Sequence, residues 1–200
     1  MNFTNYRQDA SVFSDRQFLT GKKQEIGHFL SGSAYNQALD ALVLGCADII
    51  PMHNSHILIG LRAWEPQRDW WCFGGRMRKG ELYQTAAARN VKRELFQGID
   101  NIEIHPNRFA LVGVYNLIWD KRAQEPIESG CHTLSVTMLL PLKDIEVALL
   151  HTNEEYHEVR WILPEEIIHH PDRYHPCLVQ MAKDIVSLNL DREIDLGRGC

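Results

Sequence analysis

The sequence predicts an α/β domain in which helices cover a mixed sheet. Strand-length apolar runs at 42–50, 56–61, 109–119 and 131–142 are rich in Ile, Val, Leu and aromatic residues. Segments with helical spacing of apolar residues stand among them, at 85–95 and 176–188. The two kinds do not alternate regularly, which argues against a purely parallel βαβ sheet.

Each element has its own justification. Residues 1–32 are polar and weakly patterned, broken by Gly21, Gly27 and Gly32, and read as an extension with one short helix at most. Ser33 caps a predicted helix running to about Asp40, with Ala34, Ala38 and Leu42 as its stripe. Leu42 to Ile50 is a buried strand interrupted by Asp48. His53-Asn54-Ser55 turns the chain, and His56 to Leu61 returns as a second strand. The aromatic run Trp70 to Phe73 leads into Gly74 and Gly75, a pair that lets the backbone turn sharply and approach a ligand. Gly80 breaks the chain before strong helix formers from Thr85 to Leu95. In that helix Ala87, Val91 and Leu95 make a buried stripe, while Asn90 and Glu94 share a different face. Residues 101–105 and 109–119 read as strands, 120–130 as a polar loop and 131–142 as another strand. Pro164 opens a short helix, and Leu178, Met181, Ile185 and Leu188 mark a C-terminal one.

With 44% hydrophobic residues, a chain of 200 residues can bury a full core. The expected division is an extension at 1–32, one domain at 33–190 and a tail at 191–200. A net charge of −5 gives no basic footprint for nucleic acid. No apolar run approaches the ~20 residues of a membrane span, and the N-terminus lacks a signal-peptide core. Five scattered cysteines without CxxC spacing favour reduced thiols, hence a cytoplasmic protein without a disulfide framework or zinc site. Cys200 is a loose thiol with no indicated role. A homodimer is compatible with the sequence.

The densest signal is the spacing of Gly75, Glu81, Arg89 and Glu94. It resembles the Nudix box, G-x5-E-x7-R-E-U-x-E-E-x-G-U, in which U is bulky and apolar. That family hydrolyses nucleoside diphosphates linked to another moiety. The resemblance implies the Nudix fold, an α/β/α sandwich with a mixed sheet. The box is altered: Asn90 and Arg93 stand at two carboxylate positions and Phe96 at the late glycine. Glu94 alone keeps its acid. Taken singly, Glu94 reads as a solvated helix carboxylate beside an Arg or Lys.

Within the family the chain is most similar to GDP-mannose mannosyl hydrolases, over roughly 42–165. Three matches carry this: Leu58-Ile59-Gly60-Leu61-Arg62 followed by Trp71-Cys72-Phe73-Gly74-Gly75-Arg76, the same two carboxylate losses, and Glu155-Tyr156-His157-Glu158-Val159-Arg160-Trp161. The resemblance implies that the Gly74 carbonyl and Glu94 hold Mg²⁺, with Mn²⁺ as a substitute. It puts Arg62 and Arg76 on a diphosphate leaving group and makes His157 the general base. Asp48 matches a subfamily substrate-binding aspartate with a turn one residue shorter. Gly75, Glu81 and Arg89 would brace the loop. The chain departs from the pattern at Phe73, a family proline, and at Tyr156, where the subfamily has a metal-binding glutamine. Glu155 or water then takes that coordination place. A subfamily histidine near Leu117 or Ile118 is absent.

The residues also have plainer readings. Arg62 can pair with Glu65, and Arg76 with Arg78 and Lys79 can form a solvated basic loop. His157 alone is an ordinary surface histidine. Trp70 and Trp71 read as core or rim, and His169, His170 and His175 as a helix-end loop beside Pro171 and Pro176. On chemistry, Mg²⁺ needs one or two carboxylates plus substrate phosphates, and guanidinium forks match phosphate oxygens. The expected activity is Mg²⁺-dependent hydrolysis of a small nucleotide sugar by attack at the anomeric carbon. The alternatives are a pyrophosphohydrolase of ADP-ribose type and a non-catalytic nucleotide-binding module.

Overall fold

The structure, a computed structural model, describes residues 27–190. The elements run α1 (Gly32–Ala41), β1 (Val43–His53), β2 (His56–Arg62), β3 (Trp70–Trp71), β4 (Phe73–Arg76), α2 (Tyr83–Leu95), β5 (Ala110–Trp119), β6 (Cys131–Pro141), α3 (Asp144–Ala148), β7 (Tyr156–Ile162), α4 (Pro164–His169) and α5 (Pro176–Ser187). The strands form one mixed sheet in the order β3-β2-β1-β6-β5. β7 adds to β2, and β4 adds to β1.

β1 organises the sheet. Along one edge it pairs with β6 in parallel, from Val43↔His132 to Met52↔Pro141. Its other edge is shared. The C-terminal end turns back into β2 through Asn54 and Ser55, both at positive φ. The middle pairs antiparallel with β4, setting Asp48 opposite Gly74 and Ala47 opposite Gly75.

Successive strand residues face opposite sides of a sheet. Here both sides are covered. Ala47, Ile49, Leu58, Met138 and Leu140 pack with Ala86, Ala87, Val91 and Leu95 of α2. Ile50, Met52, Ile57, Ile59 and Leu139 pack with Leu178, Met181 and Ile185 of α5. This is the expected α/β/α sandwich, and the two-sided burial explains why β1, β2 and β6 read as apolar runs.

Several boundaries differ from expectation. α1 starts at Gly32, with Ser31 rather than Ser33 before it, and no side-chain cap bond forms. Residues 101–105 are not a strand. Ile102 and Ile104 are buried by packing beside α2, and apolar alternation alone does not distinguish that from a sheet partner. The aromatic run is divided at Cys72 between two short strands. Of the predicted extension, 1–26 lie outside the described residues, as do the tail at 191–200 and Cys200. Gly27 is tied down by donating its N–H to the Lys79 carbonyl at 2.8 Å. No described helix is long and apolar enough to cross a membrane. Cys46, Cys72, Cys131 and Cys177 are free thiols.

Candidate active site

The glycine loop after β4 is braced from α2. Arg89 donates to both oxygens of Glu81, at 2.7 and 2.8 Å, to the Arg76 carbonyl at 3.0 Å and to Asn90 Oδ1 at 2.8 Å. Glu81 also accepts the Arg78 N–H at 2.7 Å. Burial alone would raise the Glu81 carboxyl, but these donors outweigh it and hold it below the usual carboxylate range. Gly74 has φ +134°, and a Cβ there would sit 2.5 Å from the Ala47 carbonyl oxygen. No side chain fits at that position.

Glu94 is fully buried. It is therefore not the solvated helix carboxylate that its sequence neighbours suggest. Its Oε2 accepts the Gly74 N–H at 2.8 Å and the Tyr156 hydroxyl at 2.6 Å. Its Oε1 takes Nη2 of Arg93. Burial pushes the Glu94 carboxyl up, and these donors pull it back. Tyr156 reaches Glu94 because residue 60 is glycine: a Cβ there would lie 2.4 Å from the tyrosine ring.

A cavity of about 400 Å³ opens beside this cluster. Leu44, Cys46 and Asp48 of β1 form one wall, Trp71 and Trp119 a second, and Tyr35 and Leu39 of α1 a third. Arg62, Arg76, Arg93 and Arg122 all border it, as do Glu65 and Glu155. Asp48 accepts the Ser135 hydroxyl at 2.6 Å. Burial raises its carboxyl to about 6, with Glu94 adding to the shift and Ser135 and Arg62 opposing it. Arg76 stacks on Tyr35 with its guanidinium carbon 4.0 Å from the ring centre. Arg62 Nη2 lies 3.9 Å from Glu155, rather than pairing with Glu65, and its Nε is buried without a partner among the described residues.

Arg122 and Arg93 are site residues that sequence reasoning missed, and Arg122 is the more deeply placed of the two. It is 1% exposed, with Nη1 at 2.6 Å from Asp40, and its buried Nη2 has no partner among the described residues. It sits in a polar loop of ordinary composition, so the sequence carried no signal for it. His157 is not brought to the cavity. β7 turns Tyr156 inward against Phe73, and His157, at the bulge that follows, is exposed. Trp71 is core and cavity wall together, whereas Trp70 carries Arg160 over its ring. His175 caps α5 by accepting the Cys177 N–H. Burial lowers its pKa, which suits an accepting neutral ring.

Gly74, Glu94 and Glu155 are the residues expected to hold a divalent cation, and they do not fit one. Arg93 Nη2 donates to Glu94 and to the Gly74 carbonyl at 3.4 Å, and lies 3.9 Å from Glu155. Asn90 Nδ2 donates to the Gly75 and Ala47 carbonyls at 3.0 and 3.3 Å. Guanidinium and amide N–H groups are donors only and cannot ligate a metal.

A model of the NUDIX domain family matches residues 44–184. No curated protein matches the chain. Among solved structures it is similar to the E. coli ORF135 protein, with TM-score 0.52 and 18% identity, covering 75% of this chain and 93% of that one. It is also similar to a bifunctional NMN adenylyltransferase/ADP ribose pyrophosphatase from Francisella tularensis complexed with AMP and Mn ion, with TM-score 0.51 and 20% identity, covering 72% of this chain. The match spans only 41% of that longer protein. A MutT protein from Methanosarcina mazei Go1 matches with TM-score 0.50 and 14% identity, covering 71% of this chain and 94% of that one. These likenesses establish the fold.

Proposed function

The chain belongs to the Nudix family, and on that premise we propose that it hydrolyses a nucleoside diphosphate sugar at the anomeric carbon, releasing nucleoside diphosphate and free sugar. The observation that supports this most is the set of four arginines, 62, 76, 93 and 122, around one aromatic-walled cavity. Guanidinium forks match phosphate oxygens, and the cavity has the size of a small-molecule site. Members of the family generally use divalent metal ions such as Mg²⁺. The donor set at Gly74 and Glu94 does not fit one, so the reading assigns charge neutralisation to the arginines. Asp48, on the cavity wall with a carboxyl raised to about 6, is the group suited to take a proton from water. Water oxygen then bonds to the anomeric carbon, and the bond to the diphosphate oxygen breaks with its electron pair leaving on the diphosphate. His157 held this role in the sequence-based expectation, and its exposure outside the cavity moves the proposal to Asp48.

A GDP-mannose-like sugar nucleotide remains the first substrate to try. The test is product analysis in ¹⁸O-enriched water across nucleotide sugars and ADP-ribose. Label in the free sugar supports the reading. Label in a nucleotide or sugar phosphate refutes it in favour of a pyrophosphohydrolase, the second activity in the Francisella protein's name. One observation favours the non-catalytic module: both oxygens of Glu94 are already engaged by protein donors, Gly74 N–H and the Tyr156 hydroxyl on one and Arg93 on the other. Binding without product from any compound would establish that alternative.

A further inference from the structure

We propose that Arg93 is a built-in cation, occupying the place of a divalent metal and bridging Glu94 to the phosphate oxygens of the ligand. The proposal rests on the phosphate-ligand reading above for the identity of the anion, but not for the position of the arginine.

Three features of the geometry carry it. First, Arg93 stands at a box position where the family pattern has a carboxylate, so the charge there is reversed. Second, the guanidinium meets the Gly74 carbonyl, Glu94 and Glu155, the three groups expected around a metal, and does so through one nitrogen, Nη2. Third, Arg93 borders the cavity and its side chain is 46% exposed, so the group is anchored on one side and accessible on the other. A guanidinium carries five N–H donors in a fixed fork. Nη2 is used on the inner side, and other N–H groups of the fork can meet an anion in the cavity. A bound divalent ion would perform the same double task, neutralising a buried carboxylate and a phosphate at once.

The substitution is coordinated with its surroundings. Asn90 replaces the other lost carboxylate, and its amide donates to the Gly75 carbonyl. Tyr156 supplies a hydroxyl donor to Glu94. Arg93 and Tyr156 thus put N–H and O–H donors on Glu94, while Asn90 puts its amide on the adjoining Gly75 and Ala47 carbonyls. Glu94 is thus retained as the counter-ion of Arg93 rather than as a metal ligand.

The test uses the full chain and Mn²⁺ as the metal probe, followed by spin resonance of the free ion and by thermal melting. Wild type is expected to take up no Mn²⁺ saturably and to show no Mn²⁺-dependent rise in Tm. Arg93→Glu sets two carboxylates beside each other and is expected to gain both. ADP-ribose and GDP-mannose binding, followed by calorimetry, is expected to be equal in EDTA and in Mn²⁺ for wild type. Arg93→Gln, which keeps a donor without the charge, should weaken binding in EDTA by about tenfold or more. Saturable Mn²⁺ uptake by wild type that Glu94→Gln abolishes would overturn the proposal. So would an Arg93→Glu protein that folds and is indifferent to Mn²⁺. If Arg93→Glu does not fold, wild-type uptake and the Arg93→Gln affinity decide. Failure of every nucleotide to bind wild type would overturn the substrate reading and the phosphate bridge together, while Mn²⁺ uptake judges separately whether Arg93 takes the place of a metal.

Discussion

Asp48→Asn should make the protein more stable and less active, and the two effects share one cause. Asp48 is buried beside Gly74, and its carboxyl is raised from 3.8 to about 6 because burial disfavours its charge. A group whose folded value is raised contributes stability that is fully present below the unfolded value and lost as pH rises through the folded one. The window therefore runs from about pH 4 to about pH 6. At 1.36 kcal/mol per pH unit, the cost of keeping Asp48 ionised above that window is about 3 kcal/mol at most. Asn keeps a carbonyl oxygen for the Ser135 hydroxyl and removes the titration. Urea unfolding at a series of pH values should show the variant more stable than wild type by about 1–3 kcal/mol near pH 7. The difference should fall toward zero near pH 4. If Asp48 is the base, turnover drops by about 10²–10⁴-fold, and the wild-type rate profile has an acid limb near pH 6. A stability difference that does not change with pH would refute the argument about the carboxylate. Gained stability with undiminished turnover would keep the electrostatics but move the base elsewhere.

Tyr156→Phe removes the 2.6 Å bond to Glu94 and keeps the ring on Phe73, so urea unfolding should show a loss of about 1.5–3 kcal/mol. Gly60→Ala drives a Cβ to 2.4 Å from the same ring, and circular dichroism melting should show a lower Tm than for Tyr156→Phe. Arg62→Lys retains charge but loses the fork, so kcat should fall even where ligand still binds. His157→Ala should leave turnover close to wild type. A loss on the 10²-fold scale, measured with the same product assay, would return the base to His157.

The strands and helices were legible because their signals are local and periodic. β1, β2 and β6 announce themselves as apolar runs, and α2 by Ala87, Val91 and Leu95. The exceptions follow from the same logic. Ile102 and Ile104 alternate like strand residues, yet they pack beside α2 without a sheet partner. The spacing of Gly75, Glu81, Arg89 and Glu94 was equally legible, since a loop and the helix after it hold a fixed separation along the chain. It pointed to the family that the NUDIX match establishes.

What those residues touch is a different matter. Glu94 meets Gly74 across 20 residues and Tyr156 across 62. Asp48 meets Ser135 across 87, and Arg122 meets Asp40 across 82. The identity of position 93 can be read as a lost carboxylate, but not the fact that its guanidinium points back to the carbonyl and carboxylates expected around a metal. The sequence by itself determined the α/β class, the order of most elements and the glycine-loop-helix unit, because each depends on period and spacing. Only the tertiary structure decided that Glu94 is buried, that Arg93 neutralises it, that Arg122 reaches the cavity and that His157 does not. Those outcomes depend on which distant strands and loops converge, and on the energetic demand that a charge taken out of water be met by a donor close at hand.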